Sequence, residues 1–249
     1  MLSVVIITLN EERNIGRCLD SLSGLADEVV VVDSLSTDAT RSICERHGAR
    51  FIEQPFLGYI EQKNFALGCA RHGHVLSLDA DEALSPELAA SIRREKELGF
   101  PSVGYTMNRL SRFNDRWIRH GSWYPDRKLR LIRSGQAVWG GMNPHDRLSI
   151  TTGEGTRQLK GDLLHYPYYS LEEFVAQWNR FSTIAARAMH ERGAKAHWWN
   201  LVWNPFVAFI KGYFIKGGFL DGMTGYVLAR QSASNTFLKY AKLIQLGRS

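Results

Sequence analysis

Within the first hundred residues one pattern occurs four times: a short apolar run, a polar turn, then a segment with helical spacing. The runs are SVVIIT (3–8), EVVVVD (28–33), ARFIEQ (49–54) and HVLSLD (74–79). Uninterrupted apolar runs predict strands covered on both faces, and helices between them predict right-handed crossovers in a mainly parallel sheet. In the first helical segment, NEERNIGRCLDSL, Asn10 is the predicted N-cap and Ile15, Cys18, Leu19 and Leu22 share a face. Gly48 closes the second helix, within STDATRSICERHG, and IEQKNFALGCARHG is the third. Ser85 caps the fourth, Pro86 opens it and Gly99 stops it. The fold class is therefore α/β.

A chain of 249 residues with 44% hydrophobic content has enough material for a substantial core. Cys18, Cys44 and Cys69 are odd in number, widely spaced and set on helical segments, which predicts core packing in a reducing compartment rather than a disulfide or zinc framework. MLSVVIITLNEER has no basic residue before its apolar run and reads as a first strand, not a signal peptide. Charge divides the chain. Residues 1–100 carry 10 Lys+Arg against 16 Asp+Glu (−6), and residues 101–249 carry 21 against 9 (+12). Two surfaces with different partners are expected, the basic one facing something anionic.

From residue 100 to 160 the chain turns aromatic and Arg-rich, and VGYTMNRL and RKLRLIR predict a mixed or antiparallel extension of the sheet. A long helix is predicted from Ser170, which starts a loose Ser-x-x-Glu capping box with Glu173, to about Arg192. The tail then concentrates Trp, Phe and Tyr among Lys and Gly. Residues 192–249 hold 8 basic residues and Asp221 alone as an acid. The apolar run from Trp198 to Ile210 is 13 residues, too short to span a bilayer, and its composition reads as a segment lying on an anionic membrane surface. The alternative is that these aromatics close the core.

Ligands of open parallel sheets bind beyond the carboxyl ends of the strands. Those ends here are Thr8, Asn10 and Glu11; Asp33, Ser34 and Asp38; and Asp79, Asp81 and Glu82. Three polar, mostly acidic strand ends on one rim predict a pocket, and carboxylates so crowded call for a cation. Neither G-x-G-x-x-G nor G-x-x-x-x-G-K-[ST] occurs, which argues against a dinucleotide fold of the usual kind and against a P-loop enzyme. Asp79-Ala80-Asp81 is best explained as a site for Mg²⁺ or Mn²⁺ and a nucleotide-sugar, the metal bridging carboxylate and diphosphate. His72 and His74 precede the fourth strand, away from this rim, and read as solvated loop residues. Arg127, Lys128, Arg130 and Arg133 form a basic run, either an exposed strand face or a contact for phosphates of acceptor or lipid.

SVVIITLNEERNIGRCLDSL, EVVVVDSLSTDAT, GYIEQKNFAL and VLSLDADE resemble the family 2 glycosyltransferases, inverting enzymes of the GT-A fold. WYPDRKLRLIR, WGGMNPHDRL and KGGFLDGMTG resemble the branch of lipopolysaccharide inner-core glucosyltransferases that act on heptose, so the resemblance covers nearly the whole chain. Many relatives carry a second Asp where this chain has Ser34. The resemblance implies that Thr8, Asn10, Glu11, Asp33 and Ser34 bind the nucleoside, with Lys63 nearby. It implies that Asp79 reaches the ribose or a metal-bound water, that Asp81 binds the cation directly, and that Ala80 lies between them in the donor site. It also implies an acidic base after the Asp-x-Asp site; Asp146, beside His145 in NPHDRL, is the first choice and Asp126 in WYPDRK the reserve. Trp123, Tyr124 and Trp139 are candidates to stack on sugar rings, although aromatics at such spacing are more often core.

The expected enzyme is a metal-dependent inverting glycosyltransferase that moves a hexose, glucose from UDP-glucose, to a lipopolysaccharide core sugar, a heptose. A polyprenyl phosphate or another cell-surface glycan is the alternative acceptor. A non-catalytic basic protein binding membrane or nucleic acid is the alternative of another class, and it leaves the acidic strand ends unexplained. Residues 1–165 are expected to form the GT-A catalytic domain, with a nucleotide-sugar half to residue 100 and an acceptor half beyond it. Residues 166–249 are expected to form a helical, membrane-associating segment. The expected partners are a UDP-sugar, a lipid-linked glycan and an anionic membrane surface rather than nucleic acid. The expected location is the cytoplasm, peripheral on the cytoplasmic face of the inner membrane.

Overall fold

The computed structural model describes residues 1–142 and 145–247, apart from the side chains of Met142 and His145. His145, paired with Asp146 in the sequence motif, thus lies outside the described side chains. The chain divides into two compact units, Met1–Arg109 with Asp126–His165, and Leu110–Pro125 with Tyr166 onward.

The first unit begins with β1 (Leu2–Thr8), α1 (Ile15–Asp20), β2 (Glu28–Asp33), α2 (Thr40–Arg46), β3 (Arg50–Glu53), α3 (Tyr59–Gly68) and β4 (His74–Asp79). β5 (Glu82–Leu84) and α4 (Pro86–Glu97) follow. β2 and β4 flank β1 in parallel, and β3 extends β2 in parallel. The sheet then turns antiparallel at β8 (Asp126–Arg133), which pairs with β4 and with β6 (Gly104–Phe113), and the end of β6 pairs with the two-residue β7 (Arg116–Trp117). β11 (Thr156–His165) lies beside β6 and pairs antiparallel with β5 at the sheet edge. A separate hairpin joins β9 (Ala137–Met142) to β10 (His145–Ile150).

Period-2 alternation along the parallel strands assigns each face its own core. Leu2, Val4, Ile6, Leu76 and Leu78 pack with Ile15, Cys18 and Leu19 of α1, Cys44 of α2, and Leu88 and Ile92 of α4. Val5, Val30, Val32 and Val75 pack instead with Ala66 of α3 and with Trp139 and Leu148 of the β9–β10 hairpin. One face is thus closed by α3 and the hairpin together, a point on which the site depends. Cys69 is half-buried.

The structure corrects some local expectations. α1 starts at Ile15, and Asn10 is not its cap. Asn10 adopts a left-handed conformation (φ 54°), which Asn tolerates better than most residues. It ties two loops together, its amide donating to Ser36 Oγ and its Oδ1 accepting from Thr37 N–H. His74 is not a solvated loop residue but the first residue of β4, half-buried against the Phe100 ring, whose centroid is 4.4 Å away. Burial lowers its pKa. Half-buried His72 donates its backbone N–H to Ser3 Oγ. At Ser170 the hydroxyl accepts from Glu173 N–H as predicted, but the Glu173 carboxylate accepts from Tyr169 N–H, one residue earlier than a capping box requires.

In the second unit, α5 (Leu171–Glu191) and α6 (Trp198–Ile210) both pack on α7 (Gly222–Leu246). A π-helical turn (Lys211–Ile215) and a 3₁₀ turn (Gly218–Asp221) join α6 to α7. Phe113, Ile118, Phe174 and Leu228 form its core, with Trp123 against them. Few large side chains of α6 enter any core. Trp198 is 71% exposed, Trp203 62% and, in the π turn, Ile215 75%. Among the described residues, no helix is long and apolar enough to cross a membrane.

β11 bends close over the first turn of α4. Gly161 there has φ +88°, and a Cβ would stand 2.3 Å from the Leu88 backbone nitrogen. Ser85 Oγ accepts from both Leu88 N–H and Asp162 N–H, joining the same two segments. Gly161→Ala is therefore expected to cost about 2–4 kcal/mol in urea unfolding, combining overpacking with left-handed strain.

Candidate active site

The carboxyl ends of β1, β2 and β4 come together because the strands are adjacent and parallel: Thr8 is in register with Asp33, and Ile7 with Asp79. Ala80 N–H donates to Ile7 O and carries the β1–β4 pairing one step further. Asp33 is buried, and its carboxylate accepts from the Ser36 backbone N–H at 2.7 Å and from Ser36 Oγ. Ser34 Oγ accepts from Gln62 Nε2 at 3.1 Å. The hydroxyl of Thr8 and Oε1 of Gln62 are buried without a hydrogen-bond partner among the described residues. A folded chain rarely leaves such atoms unpaired, so this end of the sheet has hydrogen-bonding capacity in reserve for a ligand.

Beyond β4 the crowded carboxylates find side-chain cations. Lys63, buried on α3, places Nζ 3.0 Å from Asp79 and 2.7 Å from Asp146. Arg130, buried on β8, reaches Glu82 at 2.6 Å and Asp79 at 3.0 Å. Burial opposes ionisation of Asp79, yet Lys63 and Arg130 outweigh it and hold the carboxyl well below the usual range. Both cations lie over the indole of Trp139, with centroid distances of 4.4 Å for Lys63 and 5.2 Å for Arg130. Arg109 engages Asp126 at 2.8 Å, and Lys128 takes its other oxygen at 3.0 Å. These charges lower the Asp126 pKa against the opposing effect of burial.

Asp81 differs from its neighbours, since its ion pair is with an imidazole: His165 Nε2 is 3.3 Å away. Among the described residues no three His, Cys, Asp or Glu side chains converge as a metal cluster. The Asp81 carboxylate suits Mg²⁺ or Mn²⁺, which bind through few protein ligands and take further oxygens from water and phosphates, and the imidazole beside it suits a transition metal such as Mn²⁺ better than Mg²⁺.

The structure thus brings the expected Thr8, Asp33, Ser34, Lys63, Asp79, Ala80, Asp81 and Asp146 into the first unit, with Asn10 and Glu11 on the loop after β1. Lys63 sits between Asp79 and the candidate base rather than at the nucleoside loop. The basic run 127–133 is not one anionic-ligand face. Strand alternation buries Arg130 among carboxylates, pairs Lys128 with Asp126 and leaves Arg127 exposed. Trp139 is only 4% exposed and Trp123 packs in the second unit's core, so both are core aromatics. Sequence reasoning missed His165, Arg109 and Gln62.

The family model for Glycosyl transferase family 2 matches residues 3–147. The chain belongs to glycosyl transferase family 2. It is 30% identical to the lipopolysaccharide core biosynthesis glycosyltransferase LpsC of Rhizobium meliloti, over 98% of this chain and 92% of that protein. It is 32% identical to an uncharacterised glycosyltransferase of Rickettsia bellii, over 98% of this chain and 86% of that one. Among solved structures, Staphylococcus aureus TarS aligns over 98% of this chain and 55% of its own, at 16% identity and a TM-score of 0.50. That likeness concerns the fold, and the α/β GT-A architecture expected from the sequence is the one observed. Membership makes the chain a glycosyltransferase and sets aside the reading of it as a non-catalytic binding protein.

Burial, reinforced by Asp81, Asp38 and Asp79 and opposed by a hydrogen bond from Asn14, pushes the Glu11 carboxyl from 4.5 up to about 7. A raised carboxyl pKa means that the folded state binds the proton more tightly, so the contribution of Glu11 to stability falls as pH rises from about 4.5 to about 7 and is level above. Glu11→Gln in chelator is expected to remove that contribution, so that its stability relative to the parent rises by about 1–2 kcal/mol between pH 5 and pH 8, read from urea unfolding at the two pH values.

Proposed function

We propose that this family 2 glycosyltransferase is a metal-dependent inverting hexosyltransferase that moves glucose from UDP-glucose to a heptose of the lipopolysaccharide core. The observation that carries the reading is the convergence of the β1, β2 and β4 ends with the β9–β10 hairpin, where buried Lys63 joins Asp79 to Asp146 while Asp81, two residues beyond Asp79, pairs with His165. The role of LpsC in lipopolysaccharide core biosynthesis supports the acceptor class.

In this reading Thr8, Asn10, Glu11, Asp33 and Ser34 receive the nucleoside, and the unpaired Thr8 hydroxyl and Gln62 Oε1 supply hydrogen bonds to it. Asp81 and His165 would hold the cation, with Asp79 close by and already neutralised by Lys63 and Arg130. Bound there, a divalent cation would supply positive charge against that developing on the departing diphosphate. Asp146 takes the proton from the acceptor hydroxyl as its oxygen attacks the anomeric carbon from the face opposite the leaving group. It is favoured over Asp126, whose two oxygens are held by Arg109 and Lys128 while Asp146 meets Lys63. Calorimetric titration of UDP-glucose is expected to show binding that needs Mn²⁺ and is lost in Asp81→Ala. Asp146→Asn is expected to bind the donor normally and lose at least about 100-fold in kcat, in keeping with the usual worth of a general base. Metal-independent donor binding would overturn the metal site, and an active Asp146→Asn would overturn the base.

We also propose that the second unit rests on an anionic membrane surface, with the enzyme peripheral on the cytoplasmic face of the inner membrane. Trp198, Val202, Trp203 and Phe206 of α6 and Phe214 and Ile215 of the π turn are exposed apolar side chains beside exposed Lys211 and Lys216. Apolar insertion flanked by lysines is the composition of an interfacial helix. The protein is expected to float with phosphatidylglycerol-containing vesicles, more weakly at high salt, and Trp203→Ser with Ile215→Ser to reduce flotation without changing donor affinity. Flotation unchanged in the double variant would exclude this face.

A further inference from the structure

Asn64 lies one residue after Lys63 on α3 and bonds to neither substrate-facing loop. Its carboxamide is used entirely on one residue of the hairpin: Nδ2 donates to Trp139 O at 2.9 Å and Oδ1 accepts from Trp139 N–H at 3.0 Å. Both main-chain groups of Trp139 therefore bond to a helix side chain, and the amide acts as a one-residue strand partner along the free edge of β9.

The hairpin's register transmits this hold. Trp139 stands opposite Leu148, and two residues further along each strand Gly141 stands opposite Asp146. Residues two apart on a strand share a face, so fixing Trp139 and Leu148 fixes which way Asp146 projects. Gly141 has no side chain to crowd the carboxylate across the hairpin. From the same turn of α3, Lys63 meets Asp146 at 2.7 Å, and the Trp139 ring beneath Lys63 belongs to the residue that Asn64 holds. The hairpin forms its own two-stranded sheet and packs on the main sheet through apolar side chains, and these bonds from α3 pin it in rotation and in register.

We infer that Asn64 is a positioning residue for the transfer step: by clamping the Trp139 backbone it aims Asp146 at the acceptor hydroxyl while taking no part in donor binding. This rests on the reading of Asp146 as the base. A displacement of about 1 Å at a reacting group is enough to cost on the order of 100-fold in rate, whereas the donor loops, carried on other elements, are untouched by it.

The test uses the full-length enzyme with Asn64→Ala, Asn64→Asp and Asp146→Asn. Asn64→Ala is expected to lower kcat by about 10- to 100-fold, with UDP-glucose affinity within about twofold of the parent and faster hydrogen exchange confined to the β9–β10 hairpin. Asn64→Asp keeps the acceptor for Trp139 N–H but turns a carboxylate oxygen toward Trp139 O, acceptor against acceptor, so its kcat should fall at least as far as that of Asn64→Ala. A kcat for Asn64→Ala within about twofold of the parent would overturn the inference. So would equal losses of kcat and donor affinity with exchange quickened throughout the first unit, because Asn64 would then support the fold at large. Full activity in Asp146→Asn is a separate result that removes the base, and with it the step Asn64 is said to aim, whatever the Asn64 variants do.

Discussion

The first unit is organised around two buried cations stacked on one indole. Lys63 and Arg130 bring positive charge from opposite sides of the chain, a helix and a strand, to Asp79, Glu82 and Asp146. Removing so many charges from water is expensive, and mutual attraction compensates only where geometry is good and further hydrogen bonds are made. The arrangement meets that condition by making Asp79 common to both cations and by laying both over Trp139. Its consequence is specificity of arrangement rather than bulk stability. α3, β4, β8 and the β9–β10 hairpin cannot move independently without leaving a buried charge unpaired.

That constraint changes the meaning of the acidic strand end. Three carboxylates in the span 79–82 suggest on paper a cradle for metal, but Asp79 and Glu82 are neutralised within the protein, and Asp81 faces an imidazole instead. The local acidity is therefore divided. Part of it fixes the scaffold, and one carboxylate remains with a partner that is itself a metal-binding group. This division also takes Arg130 out of the basic run on β8 as an anion ligand, since the same arginine that looks exposed in a charge count is the scaffold's counter-ion.

Much of the framework was legible in the sequence because its causes are local. Strand runs such as EVVVVD announce burial on both faces, and the polar residues that follow are where a parallel sheet gathers ligands. Ser85 and Pro86 marked the start of α4 because capping chemistry acts over three residues. What was not legible depends on distance. Nothing in RKLRLIR tells which arginine turns inward until the strand's neighbours are known. Nothing near His165 reveals that β11 returns to β5, beside Asp81. Asn10 was misread because the left-handed conformation that joins the loops after β1 and β2 leaves the same trace in sequence as a helix cap.

The contrast between the hairpin and the strand ends bears on how a transferase of this kind separates its tasks. The loops proposed to receive the nucleoside grow directly from a continuous sheet, so their geometry is inherited from backbone pairing over many residues. The hairpin carrying Asp146 has no such inheritance, because its own pairing is internal and it meets the sheet through Trp139, Leu148 and their apolar neighbours. Apolar packing fixes distance well but direction poorly, since dispersion is not directional. Directional bonds from α3 supply what packing lacks, at the backbone of Trp139 and at the carboxylate of Asp146. In the proposed function, donor recognition and base placement thereby rest on different interactions, and the acceptor side can vary in sequence without disturbing the nucleotide side so long as α3 keeps hold of both.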